Sequence, residues 1–513
     1  MNFNLIATTS TSASFEIEND ECFYLKNKAN VYINNKKVLE ASQNVFTMND
    51  LKPDTSYDIF VEDTETKCKS PIVNIQTEHE SACINILDFG AVGDGKIVNT
   101  AFIQTAINIC PDFGRVVIPE GTYLTGPLFL KNNITIELKE GAVLLGLKDR
   151  KDYPILKANI TINNKDFYLG SWEGNEADSF ASLITGIKVQ NVNIIGKGTL
   201  DGNADTTTWW FKAKEKRIAW RPRTLFLNAC KNVTIEGITL KNSPSWTIHP
   251  LMSSDLKFVN LSIQNPFDAP NTDALDPESC KNVLILGNTF SVGDDCIAIK
   301  SGKIDISKKN PVSSENIHIR NCNMQFGHGA VVLGSEMSSG IKSIFIEKCI
   351  FNSTDRGLRV KTRRGRGSKG IIDEIHMKNI KMNKVMTPFA INSFYYCDAD
   401  GKTEYVWSKE KLPVDDRTPY IGSIYAEDIT CTNAKVCAAF MYGLPEQKIG
   451  KVQMKNVSVD FDKNAEEGYP DMMSFLEPMK RSGMYFNNIK TLNLENVTVK
   501  NALTDEFTKL NIG

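Results

Sequence analysis

A short phrase recurs along most of this chain: one turn-forming residue, then apolar and polar positions in alternation. It begins at Asn191, Asn232, Asp255, Asn282, Asn316, Ser343, Glu374, Gly422, Lys451 and Thr491. Alternation with a period of two marks strands, and recurrence on the order of every 20 to 50 residues marks a repeat architecture. Neither a propeller blade signature nor leucine-rich spacing is present. With one or two further strands in each period, the pattern predicts an all-β chain wound as a right-handed parallel β-helix. The recurrent Asn favours turns between strands, and an Asn ladder along the stack is a further expectation.

The repeats do not reach the start of the chain. Residues 1–80 read as a separate β-sandwich, with strands expected at Ser14–Ile17, Ala29–Ile33, Asn44–Thr47, Tyr57–Glu62 and Val73–Gln76. The run Leu51 to Tyr57 resembles the tyrosine corner of a fibronectin type III domain. A spacer or packing role is favoured over sugar binding, because no row of exposed aromatics is evident there. Residues 83–513 then form the β-helix. Its first feature, Asn99–Ile109, suits one amphipathic helix that covers the core of the first coil.

Composition narrows the partners. A net charge of −2 and a charged fraction of 23% give no support to nucleic-acid or general membrane-surface binding. Twelve cysteines are scattered without the close pairs of a disulfide staple or zinc site, so buried free thiols are expected. The first ten residues lack a basic start followed by an apolar core, which points to a cytoplasmic protein, or to a secreted one if a leader precedes this sequence.

Four polar clusters follow four successive repeats: Asn271-Thr272-Asp273, Gly293-Asp294-Asp295, Gly327-His328-Gly329 and Arg359-Val360-Lys361. On a β-helix, equal positions in adjacent coils lie about 4.7–4.9 Å apart, so the clusters should line one stripe on the outside. Three carboxylates, an imidazole and two cations are an inventory for acid/base hydrolysis of an anionic polymer. Crowded carboxylates repel one another, which raises at least one pKa and keeps a proton available. A cluster of Asp in a loop is most often a turn, and a lone His or Arg most often a surface residue; joint occurrence on matched coils is what outweighs that reading.

These four motifs, in this order, resemble the signature set of the polygalacturonase family, glycoside hydrolase family 28, over roughly residues 83–500. Asn242 to Trp246, Asp294 to Gly302, Gly334 to Glu336 and Arg356 to Thr362 resemble its bacterial exo-acting branch, while Ala274 and Ser368-Lys369 depart from the usual pattern. The resemblance implies a pectin-lyase-like β-helix and hydrolysis of α-1,4-galacturonosyl bonds of galacturonate oligosaccharides or pectate, without metal or cofactor. By it Asp294 is the general acid, Asp273 and Asp295 position the attacking water and one takes its proton, and His328 supports Asp294; the anomeric centre inverts, for which a carboxyl separation of about 6.5–9.5 Å is expected, whereas about 5 Å would point to retention. Arg359 and Lys361 would hold the galacturonate carboxylate, with Asn271, Lys300 and Arg364 as further substrate contacts.

Arg363, Arg364, Arg366 and Lys369 extend the positive zone, and Trp209-Trp210 and Tyr395-Tyr396 are candidate sugar stackers. Long insertions near Leu147–Gly186, Lys303–Ser314 and Val385–Pro419 could wall off one end of a groove, favouring attack at chain ends. The competing readings are a rhamnogalacturonan or xylogalacturonan hydrolase of the same family, a calcium-dependent pectate lyase and a non-catalytic β-helix binding protein. Oligomeric state is left open.

Overall fold

A computed structural model describes residues 2–513. Seven strands occupy the N-terminal segment: β1 (Asn2–Thr8), β2 (Ala13–Glu18), β3 (Tyr24–Ile33), β4 (Lys36–Gln43), β5 (Val45–Met48), β6 (Ser56–Asp63) and β7 (Val73–Gln76). They form two antiparallel sheets, ordered β1-β2-β5 and β4-β3-β6-β7, around Phe15, Val31, Phe46, Ile59 and Val61. Strands β1 and β4 were not expected from the sequence. Both are edge strands with mostly exposed or half-buried residues, so their apolar alternation is weak. The Tyr57 hydroxyl accepts a hydrogen bond from the Lys52 backbone N–H at 2.8 Å, which is the tyrosine-corner contact.

From Cys83 onward the chain winds as a parallel β-helix. The first apolar residues of the repeated phrase stack in one buried row: Val192, Val233, Leu256, Val283, Ile317, Ile344, Ile375, Ile424 and Val452. Each such side chain contributes about 1.5–3 kcal/mol by leaving water, and a one-residue slip would turn the whole row outward. The residue before each one turns the corner. Asn191, Asn232, Asn282 and Asn316 all have φ between 53° and 55°, a left-handed conformation that Asn tolerates well. Their amides also form the expected ladder: Asn191 donates to Asn133, Asn232 to Asn191, Asn282 to Asp255 and Asn316 to Asn282, at 2.8–2.9 Å.

Helix α1 (Thr100–Ile109) buries Ile103, Ala106 and Ile107 on the first coil and so closes that end of the core. The sandwich lies along the side of the β-helix. Arg320 donates twice to Glu16 at 2.7 Å, Asn44 donates to Asn321 at 2.7 Å, and Val45 packs on Val259 and Leu286. Gly287 (φ 70°) permits that approach, because a Cβ there would stand 2.6 Å from the Val45 Cβ. Among the described residues, no helix is long and apolar enough to cross a membrane.

Candidate active site

The three carboxylates are brought together. One oxygen from each of Asp273, Asp294 and Asp295 lies within 4.8 Å of the others, in a cleft of about 400 Å³. Strand pairing is the cause. The Ala274 N–H donates to the Asp295 carbonyl, which sets Asp273 beside Asp295 on adjacent coils, and the next coil presents Gly329 opposite Asp295.

The cations stand elsewhere on their strands. Val332 pairs with Ala298 on one side and Arg359 on the other, so Arg359 aligns with Ala298 and Lys361 with Lys300. The single stripe expected from the sequence is therefore two parallel rows, acids in one and lysines in the other. Lys361 reaches back to close the distance, its Nζ 2.9 Å from Asp295 Oδ2. Lys300 lies 3.1 Å from Asp276 and 3.9 Å from Asp273.

These contacts divide the protonation states. Burial, reinforced by Asp276 and Asp294, pushes Asp273 well above the ordinary carboxyl range. Asp295 is equally buried, yet Lys361, Arg359 and Lys300 hold it down to about 2. Burial would lower the Lys300 pKa, but Asp276, Glu336 and Asp273 raise it well above the usual value. The same surroundings thus favour the neutral form of Asp273 and the ionised form of Asp295. His328 lies on the other side of Asp294, Nδ1 to Oδ1 3.4 Å, and that hydrogen bond raises the imidazole pKa.

Several expected contacts are corrected. Arg359 does not face the cleft: its Nε and Nη2 both bond Asp471, at 2.9 and 2.6 Å, and only Nη1 approaches Asp295, at 3.8 Å. Arg364 is 1% exposed and tied to Glu446 and to the carbonyls of Tyr405, Ser408 and Glu410, so it is a structural clamp. Arg363 pairs with Asp398 and Asp400, and Arg366 with the Ser335 hydroxyl. Trp209 is fully buried against Tyr153 and Phe180, and the Trp210 indole N–H donates to the Ser243 carbonyl. Asn271 does line the cleft, its side-chain oxygen accepting from Arg221 at 2.7 Å. The carboxyl spacing is shorter than the 6.5–9.5 Å expected.

One cleft wall was not legible in the sequence. Trp172 lies between Trp220 and Trp246 in a parallel stack, with centroids 4.5 and 5.5 Å away. Trp172 and Glu173 come from the 147–186 insertion, and Gly174 (φ 70°) fits so closely that a Cβ would stand 2.6 Å from Glu336 Cγ. Lys303 N–H donates to the Gly174 carbonyl and its Nζ pairs with Asp398 at 2.9 Å, so all three insertions meet.

Clustered carboxylates on the outer face of a parallel β-helix, in a cleft that also presents lysines and a tryptophan stack, are suited to cleaving a polysaccharide. The chain matches Glycosyl hydrolases family 28 over residues 122–469, and it belongs to that family. It is 29% identical over 391 residues to a probable polygalacturonase of Vitis vinifera, covering 75% of each chain. It is 28% identical over 431 residues to the exo-poly-alpha-D-galacturonosidase of Dickeya chrysanthemi, covering 75% of this chain and 69% of the relative. The family 28 exopolygalacturonase of Yersinia enterocolitica shares the fold with a TM-score of 0.72 at 21% identity, over 99% of this chain and 97% of that one.

Proposed function

We propose that this glycosidase hydrolyses α-1,4-galacturonan from chain ends, with inversion. The carboxylate cluster, flanked by Lys300 and Lys361 in a cleft that the Trp172 stack lines, carries this reading, with the stack as the wall that stops the chain end. The names of the relatives, polygalacturonase and exo-poly-alpha-D-galacturonosidase, support the substrate and the mode.

Asp294, the most accessible of the three acids, donates a proton to the leaving oxygen. His328 holds Asp294 in place. Asp295 and Asp273 position the water, since two oxygens within 4.8 Å of each other both reach one water at roughly 2.8 Å, and Asp295 takes its proton as it attacks. Retention would require a free carboxylate nucleophile. Asp295 is ion-paired with Lys361 rather than free to attack the sugar, which favours inversion despite the short spacing. Lys361 and Lys300, rather than Arg359, meet the sugar carboxylate as point charges.

Substrate entering the closed end is a short oligogalacturonide, and the enzyme works in the cytoplasm, a reading supported by twelve free thiols. Time-resolved chromatography of oligogalacturonide digests tests this: one mono- or disaccharide product from the first time point is expected, in excess chelator and without absorbance from an unsaturated sugar. A broad early ladder, or a chelator-sensitive unsaturated product, would refute it.

A further inference from the structure

Beyond Lys361 the cleft opens into a second groove of about 590 Å³, and Met472 lines both. Its surface differs in kind from the charged cleft. Tyr396, Trp407, Tyr469 and Phe475 line it, and Tyr469 and Phe475 are 55% and 82% exposed. Phe475 has φ 59°, a conformation uncommon for an aromatic residue, and its ring meets Trp407 edge to face at 5.3 Å. Aromatic rings held this far out of the core, contiguous with a catalytic cleft, mark a binding surface more than a packing remnant.

The position in the fold supplies the occupant. The Trp172 stack lines the cleft on the side of the earlier coils, with Trp246 just before the Asp273 coil, whereas this groove runs from Arg356 to residues 396–476 of the later segments. A polymer whose end is lodged against the wall must leave through this side. Of the groove's cations, Arg356 is spent on the carbonyls of Tyr469 and Pro470, and Lys402, over the Tyr396 ring at 5.7 Å, is exposed to meet a sugar carboxylate beside the stacking rings. Sugar faces stacked on rings are what such a lining can bind.

We propose that this aromatic groove is a distal subsite holding the body of the galacturonan chain, through stacking on Phe475, Tyr469 and Trp407. The inference rests on the chain-end reading above, and it makes affinity depend on length: a trisaccharide fills only the cleft, whereas an octasaccharide also covers the rings.

Calorimetry on the full chain with Asp294→Asn, with and without Phe475→Ala, tests this with trigalacturonate and octagalacturonate. Octamer Kd should rise roughly three- to tenfold in the Phe475→Ala protein, with trimer Kd essentially unchanged, and Tyr469→Ala should behave alike. Equal changes for both lengths, or an unaltered octamer Kd, would overturn the subsite. Loss of a dimer on Phe475→Ala with octamer affinity intact would also overturn it and assign the rings to a protein interface. Wild-type hydrolysis of the same oligomers is scored separately, so a failure of the proposed activity remains distinguishable from a failure of the groove.

Discussion

Lys361 Nζ lies 2.9 Å from Asp295 Oδ2, although a complete coil separates their two strands. The coil between them presents Gly329 opposite Asp295, where a Cβ would collide with Val332 Cγ2 and stand 3.1 Å from Asp295 Oδ1. The glycine after His328 therefore leaves room for the buried Val332 side chain and for the Asp295 carboxylate.

Gly329→Ala should accordingly lower both activity and stability, because the added Cβ must move buried Val332 and shift Asp295. Misplacement of a reacting group by about 1 Å costs about 100-fold in rate, so the smaller shift of Asp295 should cost less than that. Steady-state kinetics should show the loss in kcat, and thermal melting should shift down by a few degrees.

Removing the lysine itself changes the pH profile. Asp295 is held at about 2, below the ordinary carboxyl value, so its ion pairs contribute stability that is present above pH 3.8 and lost as pH falls through about 2. In Lys361→Met that support is withdrawn, and the acid limb of kcat/KM should move up by about one to three pH units. An acid limb that stays in place would mean that Asp295 need not be ionised.

The sequence made the coil stack legible because register repeats what the chain repeats: Val192, Val233 and Leu256 hold the same place in their phrases and in space. The acids followed from the same logic. Arg359 and Arg364 did not, because their partners Asp471 and Glu446 arrive from distant loops that carry no motif. Two guanidiniums beside a catalytic motif read as substrate ligands until those loops are placed. The Trp172 wall was hidden for a related reason: Trp172, Trp220 and Trp246 come from three separate segments, and no periodicity connects an insertion to the coil it covers.

Buried charge also marks the junction between sandwich and β-helix. Glu236 is fully buried near Ser12 and Ser14, and burial pushes its pKa up to about 7. A raised carboxyl pKa favours the folded state below the unfolded value of 4.5, and that contribution is lost as pH rises to about 7. Glu236→Gln should thus be more stable than wild type at pH ~8 by about 1–3 kcal/mol and nearly equal to it at pH ~4. Denaturant melts at the two pH values read the difference directly.

Opening the wall should change what is released. Trp172→Ala removes the middle ring of the stack, so longer stretches of polymer can pass the carboxylates. The product pattern on polygalacturonate should shift from one short product toward a ladder, with circular dichroism confirming that the β-helix persists. An unchanged single product would locate the chain-end selection elsewhere.

The account turns on hydrolysis at the chain end by a water held between Asp273 and Asp295. Proton NMR of wild-type enzyme acting on a defined oligogalacturonide, recorded before mutarotation, tests it most directly. We expect a single short product released from one end whose new reducing sugar appears first as the β anomer. Initial appearance of the α anomer, or of fragments of every length, would contradict it.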